Sequence, residues 1–392
     1  MDLFEKCRNY TTAKEAMATG IYPYFIPLNE NEGTEVVFQG KRLIMCGSNN
    51  YLGLTTHPKV REAAIQAINR FGTSCTGSRF LNGTLALHEQ LELELAEWVG
   101  KQAALVFSTG MQTNLGTVSS LIGRDDVVIL DKDDHASIVD GARLGYGKIE
   151  RYRHNDMDHL AKVLESIPDS AGKLIVVDGV FSMEGDLAPL SEISDIAKKF
   201  GARLMVDDAH GMGVLGGGRG TSAHLGVTEK VDLIMSTFSK SFASLGGFVA
   251  GDENTIHYVK HFARSLIFSA SIPPANAAAA LAALHVMKEE PERGRRVIEI
   301  AEKMRKGFKE LGFNIGNSVT PVIPIIIGDQ DRTFLAWKKL FDNGVFVNPV
   351  IAPAVNVGHQ LLRTSYMATH TDAQMEKVLS IFEKVGKEIG II

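Results

Sequence analysis

Short apolar segments alternate with amphipathic helical segments between about residues 85 and 250. The apolar segments include "AALVFST", "VVILD", "KLIVVDGVF", "ARLMVDDAH" and "VDLIMSTFS", and the helical ones include "LALHEQLELELAEWVG" and "LSEISDIAKKFG". This alternation is typical of βαβ units, so we predict a mostly parallel sheet with helices packed on it. In sheets of this kind, functional residues gather at the carboxyl ends of the strands.

A chain of 392 residues is too long for one ordinary hydrophobic core. We therefore predict two further units beside the large domain that contains this sheet. Residues 1–45 predict an N-terminal arm and a small hairpin. Residues 46–290 are predicted to form the large domain, which contains the mostly parallel sheet. Residues 291–392, in which helices and strands alternate again, predict a smaller C-terminal domain.

Charge and cysteine content exclude several classes of function. There are 41 Lys and Arg residues against 46 Asp and Glu residues, with no basic stripe, so nucleic acid is not an expected partner. Cys7, Cys46 and Cys75 form no C-x-x-C pair, which argues against a zinc site or a disulfide framework. The chain begins without an apolar signal region and has no apolar run long enough to cross a bilayer. We therefore expect a cytoplasmic protein, with peripheral membrane contact left open.

The richest motif is "VDDAHGMGVLG", in which an apolar strand leads directly into Asp207, Asp208 and His210. "GMGVLG" matches the dinucleotide-binding pattern G-x-G-x-x-G, but a loop-like segment follows it where that pattern requires a helix. A metal site is a second interpretation, although no second histidine lies close in sequence. A third is that Asp207 pairs with the ring nitrogen of a cofactor such as pyridoxal phosphate (PLP). The structural alternative is an aspartate that caps a turn.

Lys240, in "TFSKSFASLGGF", follows the next predicted strand. Neighbouring strands would bring Lys240 and Asp207 to one cleft. A partly buried lysine suits a Schiff base, because desolvation lowers its pKa and frees the amine. Thr237 and Ser239 would offer hydroxyl groups to a phosphate. The alternative is an ordinary loop lysine.

Three further motifs each have a functional and a structural interpretation. "FSTGMQTNLG" predicts a helix that begins near Met111, whose free N–H groups would suit a phosphate. His135, in "DKDDHASIVDG", lies at another strand end, where it could stack on a cofactor ring or be incidental. Arg363, in "LLRTSYMATH", would bind a substrate carboxylate or form a structural salt bridge.

Ten segments together resemble the α-oxoamine synthases of the fold-type I PLP enzymes. In order they are "SNNYLGL", "TGSRFLNGT", "STGMQTN", "DDHASIVDG", "DGVFSMEGDLAPL", "VDDAHGMGVLG", "GRG", "TFSKSFASLGGF", "IFSASIPP" and "LLRTSYMATHT". The resemblance covers nearly the whole chain. It implies the α/β fold of the aspartate-aminotransferase-like PLP-dependent transferases, with a mostly parallel seven-stranded sheet in the large domain and a smaller α+β C-terminal domain.

The resemblance also implies roles for individual residues, and it implies no metal. Lys240 would hold PLP covalently, Asp207 would pair with its pyridinium nitrogen, and His210 would hydrogen-bond its phenolic oxygen. His135 would stack on the ring, and these four residues would be the catalytic ones. Further cofactor contacts would come from Gly110, Met111, Ser182, Thr237 and Ser239, and from Ser269 or Ser271 of the partner subunit. The substrate would contact Asn49, Ser78 and Arg363.

The implied reaction is the decarboxylative condensation of an amino acid with an acyl-CoA. "FSKS" around the lysine resembles the bacterial branch that joins L-serine to a long-chain acyl-CoA such as palmitoyl-CoA. The products there are 3-ketodihydrosphingosine, CoA and CO2, in the first step of sphingolipid synthesis. The alternatives are 2-amino-3-ketobutyrate CoA ligase, 8-amino-7-oxononanoate synthase and, from another class, a non-catalytic PLP-fold binding subunit. A homodimer with shared active sites is expected, in the bacterial cytoplasm or peripherally at the inner membrane.

Overall fold

A computed structural model describes residues 2–31 and 33–392 of the chain. The strands within those residues are β1 (Glu30–Asn31), β2 (Glu35–Phe38), β3 (Lys41–Met45), β4 (Ala103–Phe107), β5 (Val127–Asp131), β6 (Lys148–Tyr152), β7 (Lys173–Asp178), β8 (Arg203–Asp207), β9 (Leu233–Thr237), β10 (Gly247–Gly251), β11 (Val322–Ile326), β12 (Val345–Phe346), β13 (Asn348–Val350) and β14 (Leu361–Ser365).

The α-helices of the same residues begin in the N-terminal arm and end close to the C-terminus. They are α1 (Glu5–Arg8), α2 (Thr12–Ala18), α3 (Pro58–Phe71), α4 (Ala86–Val99), α5 (Gly110–Leu121), α6 (Ala136–Leu144), α7 (Met157–Glu165), α8 (Leu190–Lys199), α9 (Thr221–His224), α10 (Glu253–Phe262), α11 (Arg264–Ile267), α12 (Pro274–Glu289), α13 (Glu292–Glu310), α14 (Gln330–Asp342) and α15 (Asp372–Glu388). No helix in the described part of the chain is long and apolar enough to cross a membrane.

A seven-stranded sheet forms the centre of the molecule, in the order β4-β10-β9-β8-β7-β5-β6. Only β10 runs antiparallel to its neighbours, β4 and β9. The other neighbouring pairs are parallel. Strands β5, β7, β9 and β10 are buried along their whole length, as expected for a sheet covered by helices on both faces. The predicted mostly parallel seven-stranded sheet is confirmed.

Alternating residues of the strands pack into separate cores on the two faces of this sheet. On one face, Ile129, Ile175 and Val206 pack with residues of α3, α4, α7, α8 and α12. On the other face, Val128 and Val176 pack with residues of α5, α6, α10 and α11. The sheet is therefore packed between two layers of helices, and these layers support the strands whose carboxyl ends carry the site loops.

The C-terminal part of the chain has its own antiparallel sheet, in the order β11-β14-β13. The N-terminal hairpin packs with this part, because β3 pairs in parallel with β12. Val36 and Leu43 of the hairpin share one core with Phe308, Trp337 and Phe382. The smaller α+β unit is thus built from both ends of the chain. The division at residues 45 and 290 stays a prediction.

Strand register brings the predicted site residues to one edge of the large sheet. Asp178 at the end of β7 lies opposite Asp207 at the end of β8, and Asp207 lies opposite Met235 in β9. On the far side of β9, Thr237 lies opposite Gly247, which in turn lies opposite Phe107 at the end of β4. The loops that follow these strands therefore converge on one place.

Candidate active site

A cavity of about 220 Å³ lies at this carboxyl edge of the sheet. Nine of the residues singled out from the sequence line it: Gly110, Met111, His135, Ser182, Asp207, His210, Thr237, Ser239 and Lys240. They come from the loops or helix starts that follow five different strands. Parallel strands bring such distant segments together because all their carboxyl ends lie at the same edge.

Asp207 lies at the end of β8 and is buried. Its Oδ2 accepts a hydrogen bond from Asn114 Nδ2 at 2.7 Å, and its Oδ1 accepts one from Ala209 N at 3.0 Å. Asn114 Nδ2 also donates to Ser137 Oγ at 2.9 Å. The carboxylate is therefore fixed in orientation by neutral donors while it faces the cavity.

Lys240 lies three residues beyond the end of β9 and lines the same cavity. Burial lowers the pKa of its amine to about 8, although the carboxylates of Asp207 and Asp178 oppose this shift. The charge of Arg363 lowers the pKa further. About a tenth of the amine is thus unprotonated at pH 7, which supplies the free form that a nucleophile or a base requires.

The first turn of α5 forms a concave end to the cavity. The helix begins at Gly110, and its N-cap residue Thr109 accepts a hydrogen bond from Gln112 N at 3.0 Å. Thr237 Oγ1 and Ser239 Oγ lie 2.9 Å apart beside it. A Cβ atom at Gly110 would lie 2.8 Å from Thr237, so only glycine allows this approach. Free N–H groups and hydroxyls gathered at a helix N-terminus form an anion site.

His135 is the N-cap residue of α6 and lies at the cavity wall. Its backbone N donates to Asp178 Oδ2 at 2.7 Å, and its Nδ1 lies 2.7 Å from Ser137 Oγ. Burial lowers the pKa of His135, which Asp207 partly opposes and Lys240 reinforces. Burial, together with the charge of Asp207, raises the pKa of Asp178 well above its usual range. The ring of His135 is therefore neutral and held at a fixed angle.

His210, on the loop after β8, and Arg363, in β14 of the smaller α+β unit, lie beside the cavity. His210 Nδ1 lies 2.6 Å from the hydroxyl of Tyr51. Arg363, buried in β14, donates from Nε to Ser182 O at 2.6 Å and from Nη2 to Asn49 Oδ1 at 2.9 Å. Arg363 thus holds Asn49 and the Ser182 backbone beside the cavity, although neither Arg363 nor Asn49 lines it.

Three predicted residues lie away from the cavity of their own chain. Ser269 Oγ accepts a hydrogen bond from Gln112 Nε2 at 2.8 Å, at the outer side of the α5 start. Ser271 N donates to Gly77 O at 2.9 Å, and the hydroxyls of Ser271 and Ser78 are buried without a partner among the described residues. The predicted contact of Ser269 or Ser271 with the cofactor of a partner subunit stays a prediction.

Four residues that support the site were missed in the sequence. They are Tyr51, Asn114, Ser137 and Asp178. Asp178 could have been found, since it ends an apolar strand in the same way as Asp207. The other three lie within segments that were quoted for other residues, and their role depends on which side chain they face across the fold.

Asp208 does not belong to the cavity. Its two carboxylate oxygens accept hydrogen bonds from Thr221 N at 2.6 Å and from Thr221 Oγ1 at 2.7 Å. The glycine-rich segment Gly211–Gly216 is followed by a short 3₁₀ turn and the four-residue α9, so it opens no long helix. The dinucleotide interpretation of this motif therefore lacks the helix that it needs.

The seven-stranded sheet and the cleft at its carboxyl edge define the fold of a fold-type I PLP-dependent transferase. The chain belongs to the aminotransferase class I and II family, whose model matches residues 41–382.

Its relatives place it more narrowly. It is 50% identical over 390 residues to the serine palmitoyltransferase of Sphingobacterium spiritivorum, covering 99% of this chain and 98% of that protein. The solved serine palmitoyltransferase of Sphingomonas wittichii superposes with a TM-score of 0.97 at 39% identity, and the match covers 100% of both chains. A solved structure of SPT with a PLP internal aldimine matches with the same TM-score at 38% identity and the same coverage. The 8-amino-7-oxononanoate synthase of Alkaliphilus metalliredigens is 39% identical and covers 97% of this chain.

Proposed function

We propose that the protein is a PLP-dependent acyltransferase that condenses L-serine with a long-chain acyl-CoA such as palmitoyl-CoA. The products are 3-ketodihydrosphingosine, CoA and CO2. The observation that carries this proposal is the 50% identity to a serine palmitoyltransferase over almost the full length of both chains. The 39% identity to an 8-amino-7-oxononanoate synthase makes the alanine-using reaction the weaker candidate.

The residues that line the cavity fit PLP at each of its functional groups. The start of α5, with Thr237 and Ser239, provides donors for the phosphate. A lysine with a lowered pKa provides the amine for the aldehyde. A buried carboxylate, Asp207, provides the partner for a protonated ring nitrogen. Bound PLP would supply an electron sink that stabilises negative charge at the amino-acid Cα.

Arg363 orients the amino acid in this proposal. Its guanidinium is already held by Ser182 O and Asn49 Oδ1, so it loses little freedom when it takes up a carboxylate. A carboxylate held in one direction determines which bond at Cα lies perpendicular to the ring of the cofactor, and therefore which bond breaks first.

Lys240 acts as the base that removes the Cα proton onto Nζ. Its pKa of about 8 leaves enough free amine at neutral pH for this step. Asp207 would pair with a protonated ring nitrogen of bound PLP, and Asn114 holds the carboxylate of Asp207 in one direction. His135, as a neutral imidazole, would stack on the cofactor ring.

The Cα carbon then bonds to the thioester carbonyl carbon, and the C–S bond breaks to release CoA. Loss of CO2 from the carboxylate end completes the reaction, and a proton is returned to Cα. Lys240, which has received the first proton, is placed to return one.

A homodimer with shared active sites is part of the same proposal. Large apolar side chains are exposed near the cavity and around the loop of Ser78: Phe80, Leu81, Met111, Leu245 and Phe268. A second copy of the chain would cover such a patch. We further propose that the enzyme acts in the bacterial cytoplasm, with its acyl substrate delivered at the inner membrane. Sedimentation equilibrium and membrane fractionation test these two points.

Three substrate assays test the reaction. CoA release is measured with palmitoyl-CoA and L-serine, glycine or L-alanine, and serine is expected to give the highest kcat/KM. A clear preference for glycine or alanine would refute the proposal. Lys240→Ala is expected to lose turnover and the visible absorption band of bound PLP. Lys230→Ala, which removes an exposed ion pair with Asp195, is the matched control and should retain both.

A further inference from the structure

The hydroxyl of Tyr51 is buried between two polar side chains beside the cavity, His210 and Asn49. It lies 2.6 Å from His210 Nδ1 and 3.4 Å from Asn49 Oδ1. Tyr51 itself is fully buried and packs with Val180, Val214 and Val297. Its ring position is therefore set by apolar packing, and the polar groups near its hydroxyl include His210, Asn49 and the guanidinium of Arg363.

A tyrosine hydroxyl has one hydrogen to donate. The distance of 2.6 Å to His210 Nδ1 is that of a strong hydrogen bond, whereas 3.4 Å to Asn49 is long. Asn49 Oδ1 also already accepts a charge-assisted bond from Arg363 at 2.9 Å. The hydrogen of Tyr51 therefore points at His210, and Nδ1 of His210 must be the acceptor.

An acceptor nitrogen requires a neutral imidazole, and the surroundings of His210 favour this state. Burial lowers the pKa of His210 well below its usual range, and the positive charges of Lys240 and Arg363 lower it further. A neutral imidazole carries one hydrogen. If Nδ1 accepts, that hydrogen lies on Nε2, which has no hydrogen-bond partner among the described residues. His210 lines the cavity, so the free donor belongs to the cavity side.

We propose that Tyr51 is a positioning residue that holds His210 in the tautomer with its hydrogen on Nε2, so that His210 donates into the cofactor cavity. Asn49 Oδ1 lies 3.4 Å from the same hydroxyl and accepts a hydrogen bond from Arg363, so the predicted carboxylate-binding arginine and the predicted cofactor-binding histidine are both held beside Tyr51. The inference rests on the proposed function only in taking PLP as the occupant of the cavity.

The tautomer can be measured directly in the PLP-loaded enzyme by 15N NMR of labelled histidine, with His210→Asn identifying the signals. We expect the wild-type enzyme to carry its His210 hydrogen on Nε2. A hydrogen on Nδ1 would overturn the inference, because Tyr51 would then donate to Asn49. This measurement needs no variant of Tyr51 and does not depend on turnover.

Tyr51→Phe removes the hydroxyl and keeps the ring. Without its donor, His210 samples the other tautomer, so the PLP dissociation constant should rise about fivefold and the Nδ1 signal should shift. Tyr366→Phe is the matched control, because Tyr366 is also fully buried and loses one hydrogen bond, to Thr364 Oγ1 at 3.1 Å. Equal PLP affinity and an unchanged His210 signal in Tyr51→Phe would overturn the inference. A protein that binds PLP as expected but does not condense serine would refute the proposed function alone.

Discussion

Replacing His154 with glutamine should destabilise the protein and loosen one wall of the active site. The imidazole lies between two carboxylates, with Nδ1 3.0 Å from Asp131 Oδ1 and Nε2 3.0 Å from Asp186 Oδ2. Burial alone would lower the pKa of His154, but the hydrogen bonds and charges of the two carboxylates raise it to about 10. The ring is therefore positively charged at neutral pH and bridges the end of β5 and the loop that carries Asp186.

The size of the effect follows from linkage between protonation and folding. The pKa of His154 lies near 10 in the folded protein and near 6.5 in the unfolded chain. At ~1.4 kcal/mol per pH unit, this difference sets a ceiling of ~5 kcal/mol. We expect on the order of 3 kcal/mol, because the carboxylates relax and regain solvent when the ring is lost. The stabilisation is complete below pH 6.5 and is lost as the pH rises through about 10, since the folded-state pKa is the higher one.

Urea unfolding of the wild-type and His154→Gln proteins, at neutral pH and above pH 10, measures this stabilisation. The difference in unfolding free energy should be large at neutral pH and shrink at the higher pH. His285→Gln is the control, because His285 pairs with Glu94 at the surface and should contribute less than ~1 kcal/mol. Equal losses for the two variants, or a difference that does not change with pH, would refute the reasoning.

The same substitution should also affect the substrate. Asp186 belongs to the loop that carries Ser182, and Ser182 O accepts a hydrogen bond from Arg363. The far side of that loop is held by Thr320, whose hydroxyl donates to Gly185 O at 2.9 Å. Loss of His154 would leave Asp186 with the weaker, neutral hydrogen bond from Asn155 Nδ2 at 3.1 Å, so the loop should be held less firmly and the KM for serine should rise more than kcat falls.

Three further predictions concern single contacts. In the PLP-free protein, acylation of Lys240 should level off above about pH 8, because burial lowers its pKa to that value; a profile still rising at pH 10 would contradict this. Gly110→Ala should weaken PLP binding at least tenfold in a fluorescence titration, since its Cβ would lie 2.8 Å from Thr237; unchanged affinity would show that the helix start can move. Arg79→Met should cost ~3 kcal/mol in urea unfolding, because it leaves Glu92, whose side chain is 12% exposed, without its partner at 2.7 Å. Addition of Glu92→Gln should recover part of that loss.

The strand ends that carry Asp207, Thr237 and Gly110 were predictable because each follows an apolar run, and parallel strands present such ends together. The insertion of β10 between β4 and β9 was not predictable, since the glycine-rich strand Gly247–Gly251 has no pattern that fixes its direction. Pairing of β3 with β12 joins segments about 300 residues apart, and short apolar strands carry no signal for such a partner. The local pattern of apolar residues was therefore enough to identify the strand ends. Which side chains meet there depends on contacts between segments that are distant in sequence, and the local pattern does not encode them.

Burial shifts the protonation equilibria of three side chains that line the cavity. It lowers the pKa of Lys240, His135 and His210, so both histidines are neutral near pH 7. Neither histidine is then a strong acid for the reaction. In the proposed reaction His135 would offer a flat neutral surface, and His210 would offer a single directed hydrogen bond. Proton transfer would fall to Lys240, because its pKa of about 8 leaves part of the amine unprotonated near neutral pH.

Asp207 and Arg363 are held in a different way from most buried charges. Among the described residues neither forms an ion pair, and each is instead fixed by a neutral amide: Asn114 Nδ2 donates to Asp207, and Asn49 Oδ1 accepts from Arg363. A neutral amide fixes the direction of a charged side chain without cancelling its charge. The negative charge of Asp207 is therefore still available to pair with a protonated ring nitrogen, and the positive charge of Arg363 is still available to bind a carboxylate. A carboxylate in place of Asn49 would form the ion pair in advance and compete with the substrate. Asn49→Asp should therefore raise the KM for serine at least tenfold in the CoA-release assay while PLP affinity stays unchanged, and an unaltered KM would show that Arg363 does not bind the substrate carboxylate.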